Sequence, residues 1–385
     1  MNAQANAGLY VHIPFCSAVC PYCDFAVSVG NAAKRANFVG SLLAEIELCS
    51  DWQVPIDTVY FGGGTPSALN PEQLQTILTG VQTSLPLVAD YQLFFEANPE
   101  DVNASALAAW HDLGVRRLSL GVQSFVDSEL RSLGRRHTST QAYAAVEAAL
   151  AAGFDTVSVD IMFGLPGQTR DSLQTSLDAV TALAPQHVSC YQLTIHQGTT
   201  FARWRERGKL TELDEDNQAE LYAQVHQQLA SAGLCAYEVS NFAREKADRS
   251  SHNLKYWGHV PYLGIGPSAH SFDGHRRWWN LRDFSRYDDT VKLGERPIDE
   301  IEQLSAEDLA LEALMLGIRT ADGICLTDYQ QRYGVALGQL NARLIDQLVA
   351  DGYLSNKPGW ITPTQTGLSI ADGLAAQFEL SSRLT

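Results

Sequence analysis

No run of apolar residues in this 385-residue chain reaches the ~18 that a membrane-spanning helix requires, and no Lys or Arg precedes Lys34. The chain therefore offers neither a spanning helix nor the basic start of a secretory signal, and the expectation is a cytoplasmic protein, peripheral at a membrane only through its partners. Basic residues are scarce too. Against 44 Asp and Glu stand 27 Lys and Arg, a formal charge of −17 that repels phosphate backbones and argues against nucleic-acid binding. Arg276, Arg277, Trp278 and Trp279 make a local basic patch, which reads as a packed loop with snorkelling arginines. Cysteine is sparse and odd in number. Of the seven, Cys49, Cys190, Cys235 and Cys325 are scattered through apolar surroundings, which is no disulfide framework.

What is present is a globular balance of 45% hydrophobic and 18% charged residues, enough for a large domain and a smaller one. From residue 8 to about 195, short β-rich runs alternate with amphipathic stretches, the pattern of parallel strands joined by crossover helices. The expected strands are Gly8–Ile13, Asp57–Phe61, Tyr91–Ala97, Arg116–Gly121, Thr156–Met162 and Val188–Thr194. In the last crossover Leu173, Leu177, Val180 and Ala184 form one apolar stripe, bounded by Asp171 and Pro185. Six such units are too few for a complete eight-unit barrel; they suit an open, curved sheet whose functional loops follow the C-terminal strand ends.

The remainder is less regular. Residues 200–300 predict a polar helix near Leu213–Ala232, a short strand near Ala236–Ser240 and an aromatic, Gly-rich region. Beyond 301, helices over Leu309–Ile318 and Leu337–Leu348, a turn and strand from Gly352-Tyr353-Leu354, and a last helix over Thr366–Gln377 suggest a winged-helix-like module. That stretch has five basic and ten acidic residues, net −5, so a covering or partner-docking role is expected of it, not DNA reading.

Cys16, Cys20 and Cys23 stand in a Cx3Cx2C loop directly after the first strand. Three thiolates leave one iron of an iron–sulfur cluster open, and an open metal position is what chemistry needs. The alternatives are zinc completed by His12, which lies awkwardly two residues before Pro14, or cysteines packed as small apolar residues. Gly62-Gly63-Gly64-Thr65-Pro66 follows the second strand, where missing Cβ atoms let backbone approach a ligand. Glu96 sits on an apolar strand and needs a partner if buried. Arg135 offers a fork for a carboxylate, and Gln123 and Asp160 can bond ribose hydroxyls. The cysteine loop, the glycine turn and Gln123 follow the first, second and fourth strands, and Glu96 and Asp160 fall near the ends of the third and fifth, which is the reason to group them.

The cysteine spacing, with an aromatic between the second and third cysteines, resembles the radical S-adenosylmethionine (SAM) superfamily. The resemblance implies a partial (β/α)6 barrel over 1–200, an irregular α+β extension over 201–300 and the winged-helix-like domain over 301–385. It also implies a [4Fe-4S] cluster on Cys16, Cys20 and Cys23. SAM would chelate the open iron, and one electron would cleave it to a 5′-deoxyadenosyl radical. Gly63, Gly64 and Thr65 resemble the segment that bonds the SAM amino group. Glu96, Gln123, Arg135 and Asp160 match SAM-contacting positions of oxygen-independent coproporphyrinogen III oxidases, and Tyr10 matches an aromatic ahead of the cluster loop.

Two departures separate relatives. Such oxidases carry a further cysteine two residues past the triplet, where this chain has Cys23-Asp24-Phe25. His252-Asn253-Leu254-Lys255-Tyr256-Trp257 is similar to the His-Asn-x-x-Tyr-Trp motif of HemW-type heme chaperones. By that resemblance His252 is a candidate heme ligand covered by Tyr256 and Trp257. The competing reading is that the cluster packs a domain junction and His252 bonds a carbonyl. Lys255 would meet a propionate or face solvent, and His270 is a second candidate ligand. The expected function is to bind heme and deliver it to hemoproteins, membrane-associated respiratory ones among them, with an electron donor serving the cluster. The alternative is a radical SAM enzyme that oxidatively decarboxylates porphyrinogen propionates. A homodimer is left open.

Overall fold

The computed structural model describes residues 5–381; the outermost residues of the first and last expected domains, 1–4 and 382–385, lie outside them. Twelve strands form one sheet: β1 (Ala7–Ile13), β2 (Ile56–Gly63), β3 (Leu87–Ala97), β4 (Val115–Gln123), β5 (Thr156–Phe163), β6 (His187–Gln192), β7 (Cys235–Ala236), β8 (Asn241–Ala243), β9 (Tyr262–Ile265), β10 (His270–Phe272), β11 (Arg276–Asn280) and β12 (Ile298–Gln303). The spatial order is β12-β11-β10-β9-β1-β2-β3-β4-β5-β6-β8-β7. Neighbours from β1 to β6 are parallel, so the expected α/β class and all six expected strands are present.

Period two explains the sheet's two faces. Leu9, Val11 and Ile13 of β1 are fully buried towards one side, and Tyr10 and His12 point to the other. On β5, Val157, Val159 and Ile161 are likewise fully buried, each contributing about 1.5–3 kcal/mol by leaving water. The crossover helices pack on this outer face. Asn70, Thr138 and Thr169 open three of them with reciprocal capping boxes. In the helix Arg170–Leu183 the stripe ends on Leu183, because Ala184 leaves the helix in the left-handed region at φ 52°.

The second stretch is more ordered than its sequence suggests. Its helix spans Glu215–Ser231, but the strand expected at Ala236–Ser240 is two short strands, β7 and β8, separated by a turn that pairs them antiparallel. β9 joins the opposite edge, parallel to β1. The patch Arg276–Trp279 is not a loop but strand β11, with Arg277 paired to Glu312 and Trp278 against Trp52. One sheet thus runs through both stretches. Beyond it, Leu314, Ile318, Leu337, Leu348 and Leu374 form a separate core, with an antiparallel pair at Ile324–Cys325 and Trp360–Ile361. The expected helix at Leu337–Leu348 is broken at Asn341 and that at Thr366–Gln377 at Ile370.

Candidate functional site

The cysteine loop leaves β1 at Ile13 and returns through residues 24–29. His12 Nε2 bonds Ala26 O at 2.9 Å, Ser28 N donates to Pro14 O at 2.7 Å, and Arg282 donates to Asp24 O, so the tail is held from three sides. Cys16, Cys20 and Cys23 are half-buried and unpaired, and all three line one cavity of about 500 Å³. Thr65 Oγ1 lies 3.5 Å from Cys16 Sγ and Arg135 Nη1 3.7 Å from Cys20 Sγ. Burial pushes the Cys16 thiol up and the Cys23 thiol up to about 11, so a metal there displaces protons. Among the described residues no three His, Cys, Asp or Glu side chains gather around a point fit for a single ion. His12 has both ring nitrogens engaged, with Tyr10 OH and Ala26 O. Three cysteines lining one cavity, with hydrogen-bond donors at two of the sulfurs, fit a cluster better than a closed tetrahedral ion.

The strand ends supply the rest of the lining. β2 runs into Gly63, at φ 104°, and Gly64, where a Cβ would sit 2.7 Å from Ile13 O and 2.8 Å from Phe15 O. These glycines let the turn lie against the cysteine strand. Gly64 N donates to Ile13 O and Gly63 N to Glu96 Oε2, so what the turn leaves for a ligand amino group is acceptors. Glu96, from β3, also accepts from Tyr60 OH at 2.7 Å. Burial pushes its carboxyl up to about 7, against the pull of those bonds. Asp160, mid-way along β5, accepts from Ser119 Oγ at 2.8 Å, and burial pushes it up to about 6. Buried carboxyls with raised pKa in a cleft are a functional signature when geometry agrees.

Gln123 closes β4 at φ 71°, where the ladder to β5 is bulged, and its Oε1 accepts from Tyr191 OH at 2.6 Å. Arg135 Nη2 donates to Asn98 Oδ1 at 2.5 Å and Gly121 O at 2.7 Å, whereas its buried Nε has no acceptor among the described residues. Such an orphan costs about 1–3 kcal/mol unless a ligand accepts from it, and a carboxylate is the natural complement. Gly63, Gly64, Thr65, Glu96, Gln123, Arg135 and Asp160 therefore share one cavity with the three cysteines. Tyr10 does not line it; its hydroxyl meets His12 Nδ1 at 3.1 Å beneath the Gly62 turn. Tyr60, Asn98, Ser119 and Tyr191 do line it and were not singled out from the sequence. Tyr60 lies four places from Gly64 and Ser119 four from Gln123, so the strand period marks those two, whereas no recognised residue stands on β6 to mark Tyr191.

His252 is elsewhere. It is 1% exposed, with Nδ1 2.9 Å from Thr58 Oγ1 and Nε2 2.8 Å from Tyr256 OH, and it packs on Tyr60 and Phe94. Burial lowers its pKa to about 3, so the ring is neutral. Folded this way, neither nitrogen is free for a metal, and its partners are hydroxyls, not a carbonyl. Lys255 neither faces solvent nor is free for a propionate: its Nζ sits 2.7 Å from Asn6 O and 2.6 Å from Asp57. His270 is exposed and stacks on Trp279.

Comparison with known proteins adds the following. The radical SAM superfamily profile matches residues 10–180 and the HemN C-terminal domain profile residues 304–370. A Bacillus subtilis protein named heme chaperone HemW is 32% identical over 96% of this chain and 98% of its own length. One of the same name from Mycobacterium tuberculosis is 35% identical over 95% of this chain and 93% of its own. The solved structure of the Escherichia coli coproporphyrinogen III oxidase HemN, a radical SAM enzyme, superposes with a TM-score of 0.83 over 97% of this chain and 90% of that one. At 22% identity that likeness speaks for the fold. No helix among the described residues is long and apolar enough to cross a membrane.

Proposed function

We propose a function from one premise: the chain belongs to the HemW family of radical SAM proteins. It is a heme chaperone that binds heme and hands it to hemoproteins, membrane-associated respiratory ones among them. It carries a [4Fe-4S] cluster on Cys16, Cys20 and Cys23 and binds SAM in the adjoining cavity. The observation that carries the reading is the meeting of three unpaired thiols, an orphaned Arg135 Nε and two buried carboxyls in one cavity, within a chain matched along its length by proteins of that name.

When bound, the cluster supplies an open iron for the amino and carboxylate groups of SAM, and an electron. The chain's own residues do the positioning. Arg135 Nε accepts the role of donor to a carboxylate, and its Nη1 hydrogen-bonds the Cys20 sulfur, tying ligand and loop together. Glu96, held by Tyr60 and Gly63, lies where a cationic ligand would draw off its proton. Asp160 and Gln123 present acceptors for ribose hydroxyls, and Gly63, Gly64 and Thr65 lie against the amino end. An electron-donating protein is the remaining partner.

The test is transfer. Protein loaded with one equivalent of hemin is mixed anaerobically with a heme-free cytochrome b domain, and the Soret band is followed. Movement of heme to the acceptor is expected. Retained turnover of a porphyrinogen to its decarboxylated product, with no stable heme binding, would favour the oxidase instead.

A further inference from the structure

A second groove, of about 790 Å³, opens beside the tail of the cysteine loop, within the roughly 300–1,000 Å³ typical of ligand sites. Phe25 and Val27 line both it and the cysteine cavity. Pro14, Pro267 and Phe284 complete its apolar surface. Phe25 is 59% exposed and Val29, just beyond on the same tail, 63%, an unusual concentration of bare apolar side chains.

Unlike the acidic chain as a whole, with its formal charge of −17, it gathers as many cations as carboxylates. Lys34, Arg282 and Arg286 line it, and none of the three has a carboxylate partner among the described residues. Lys34 donates to Ser28 Oγ and lies over the Phe284 ring. Arg282 holds Asp24 O, and the Arg286 side chain makes no bond among the described residues. Three aspartates share the groove. Asp283 caps the following helix by accepting from Arg286 N, Asp288 is bonded by Ser41 and Lys292, and Asp299 stays exposed.

We propose that this groove is where heme rests, its macrocycle against Phe25, Val27 and Phe284 and its propionates on Arg282, Arg286 and Lys34, with no axial ligand from the protein. The inference rests on the heme-carrier reading. An apolar surface edged by unpaired cations complements a flat apolar dianion. The lining contains no His, Cys, Met or Tyr, and His252 is closed off by Thr58 and Tyr256. A carrier without an axial bond lets the recipient's own ligands take the iron with nothing to break.

The full-length, cluster-loaded protein is titrated anaerobically with hemin, with metal-free protoporphyrin IX and with hemin dimethyl ester, followed by absorbance and fluorescence. Hemin and the metal-free ring are expected to bind comparably. The ester, and hemin on Arg286→Glu, should bind about tenfold more weakly or worse, the loss of a charged hydrogen bond. Phe25→Ala should also weaken hemin, and iron–sulfur content should not change in Arg286→Glu. If wild-type protein binds hemin saturably but the metal-free ring poorly, or if both variants bind hemin like wild type, the groove is overturned while the carrier reading stands. Absence of saturable hemin binding by wild-type protein overturns both.

Discussion

The cavity at the strand ends and the junction around His252 are both polar clusters buried between aromatic rings, and they differ in how completely their groups are satisfied. At the junction His252 spends both nitrogens on Thr58 and Tyr256, and Lys255 spends its ammonium on Asn6 O and Asp57. In the cavity Arg135 Nε has no acceptor among the described residues, and Glu96 and Asp160 lie buried with pKa values pushed up to about 7 and 6. A saturated cluster holds a fold together; an unsaturated one is finished by a ligand.

The largest effect that would sharpen this contrast is on the cysteine loop. Cys16→Ala is expected to lose most of its iron after anaerobic reconstitution while its unfolding midpoint stays near wild type, because the loop lies outside the main core. Iron content near that of the wild type would remove the cluster from the cavity. Next comes Arg135→Ala, for which equilibrium dialysis should find SAM affinity reduced by about 10–100-fold. Unchanged affinity would make the orphaned Nε an accident of packing.

His252→Ala should act the other way. Two lost hydrogen bonds and a buried cavity are expected to lower stability by about 2–4 kcal/mol in urea unfolding, with SAM and hemin binding close to wild type. Reduced hemin affinity at unchanged stability would mean that the junction opens to ligate iron. The smallest effect is a pH dependence. The raised carboxyls of Glu96 and Asp160, which also repel each other, let the folded chain keep protons that the unfolded chain releases. Their contribution to stability is complete below the ordinary values of 4.5 and 3.8 and is lost as pH rises through about 7 and 6. SAM, a cation at its sulfonium, should bind more tightly as pH rises through that window, and Glu96→Gln should flatten the profile.

The parallel strands were legible because their residues repeat apolar choices over about five to seven places between capped helices, and the cysteine loop, the glycine turn, Glu96 and Gln123 were legible because they fall at strand ends. Less could be read where order depends on distant partners. β9 has only four residues, and its place beside β1 is set by a pairing between Gly8 and Tyr262 that no local pattern announces. The sequence places Lys255 at solvent or at a propionate, yet Asp57 claims it, and Thr58, 194 residues away, claims His252. Tyr60, Ser119 and Tyr191 were hidden for a milder reason: tyrosine and serine are ordinary on strands, and only the inward alternation marks them as lining.

Electron paramagnetic resonance of the reduced, reconstituted protein, recorded with and without SAM, tests most directly whether three thiolates leave an iron open to this cavity. A SAM-dependent change in the cluster signal, absent from Arg135→Ala at the same SAM concentration, is expected. A fully formed cluster whose signal is indifferent to SAM in the wild-type protein would contradict it.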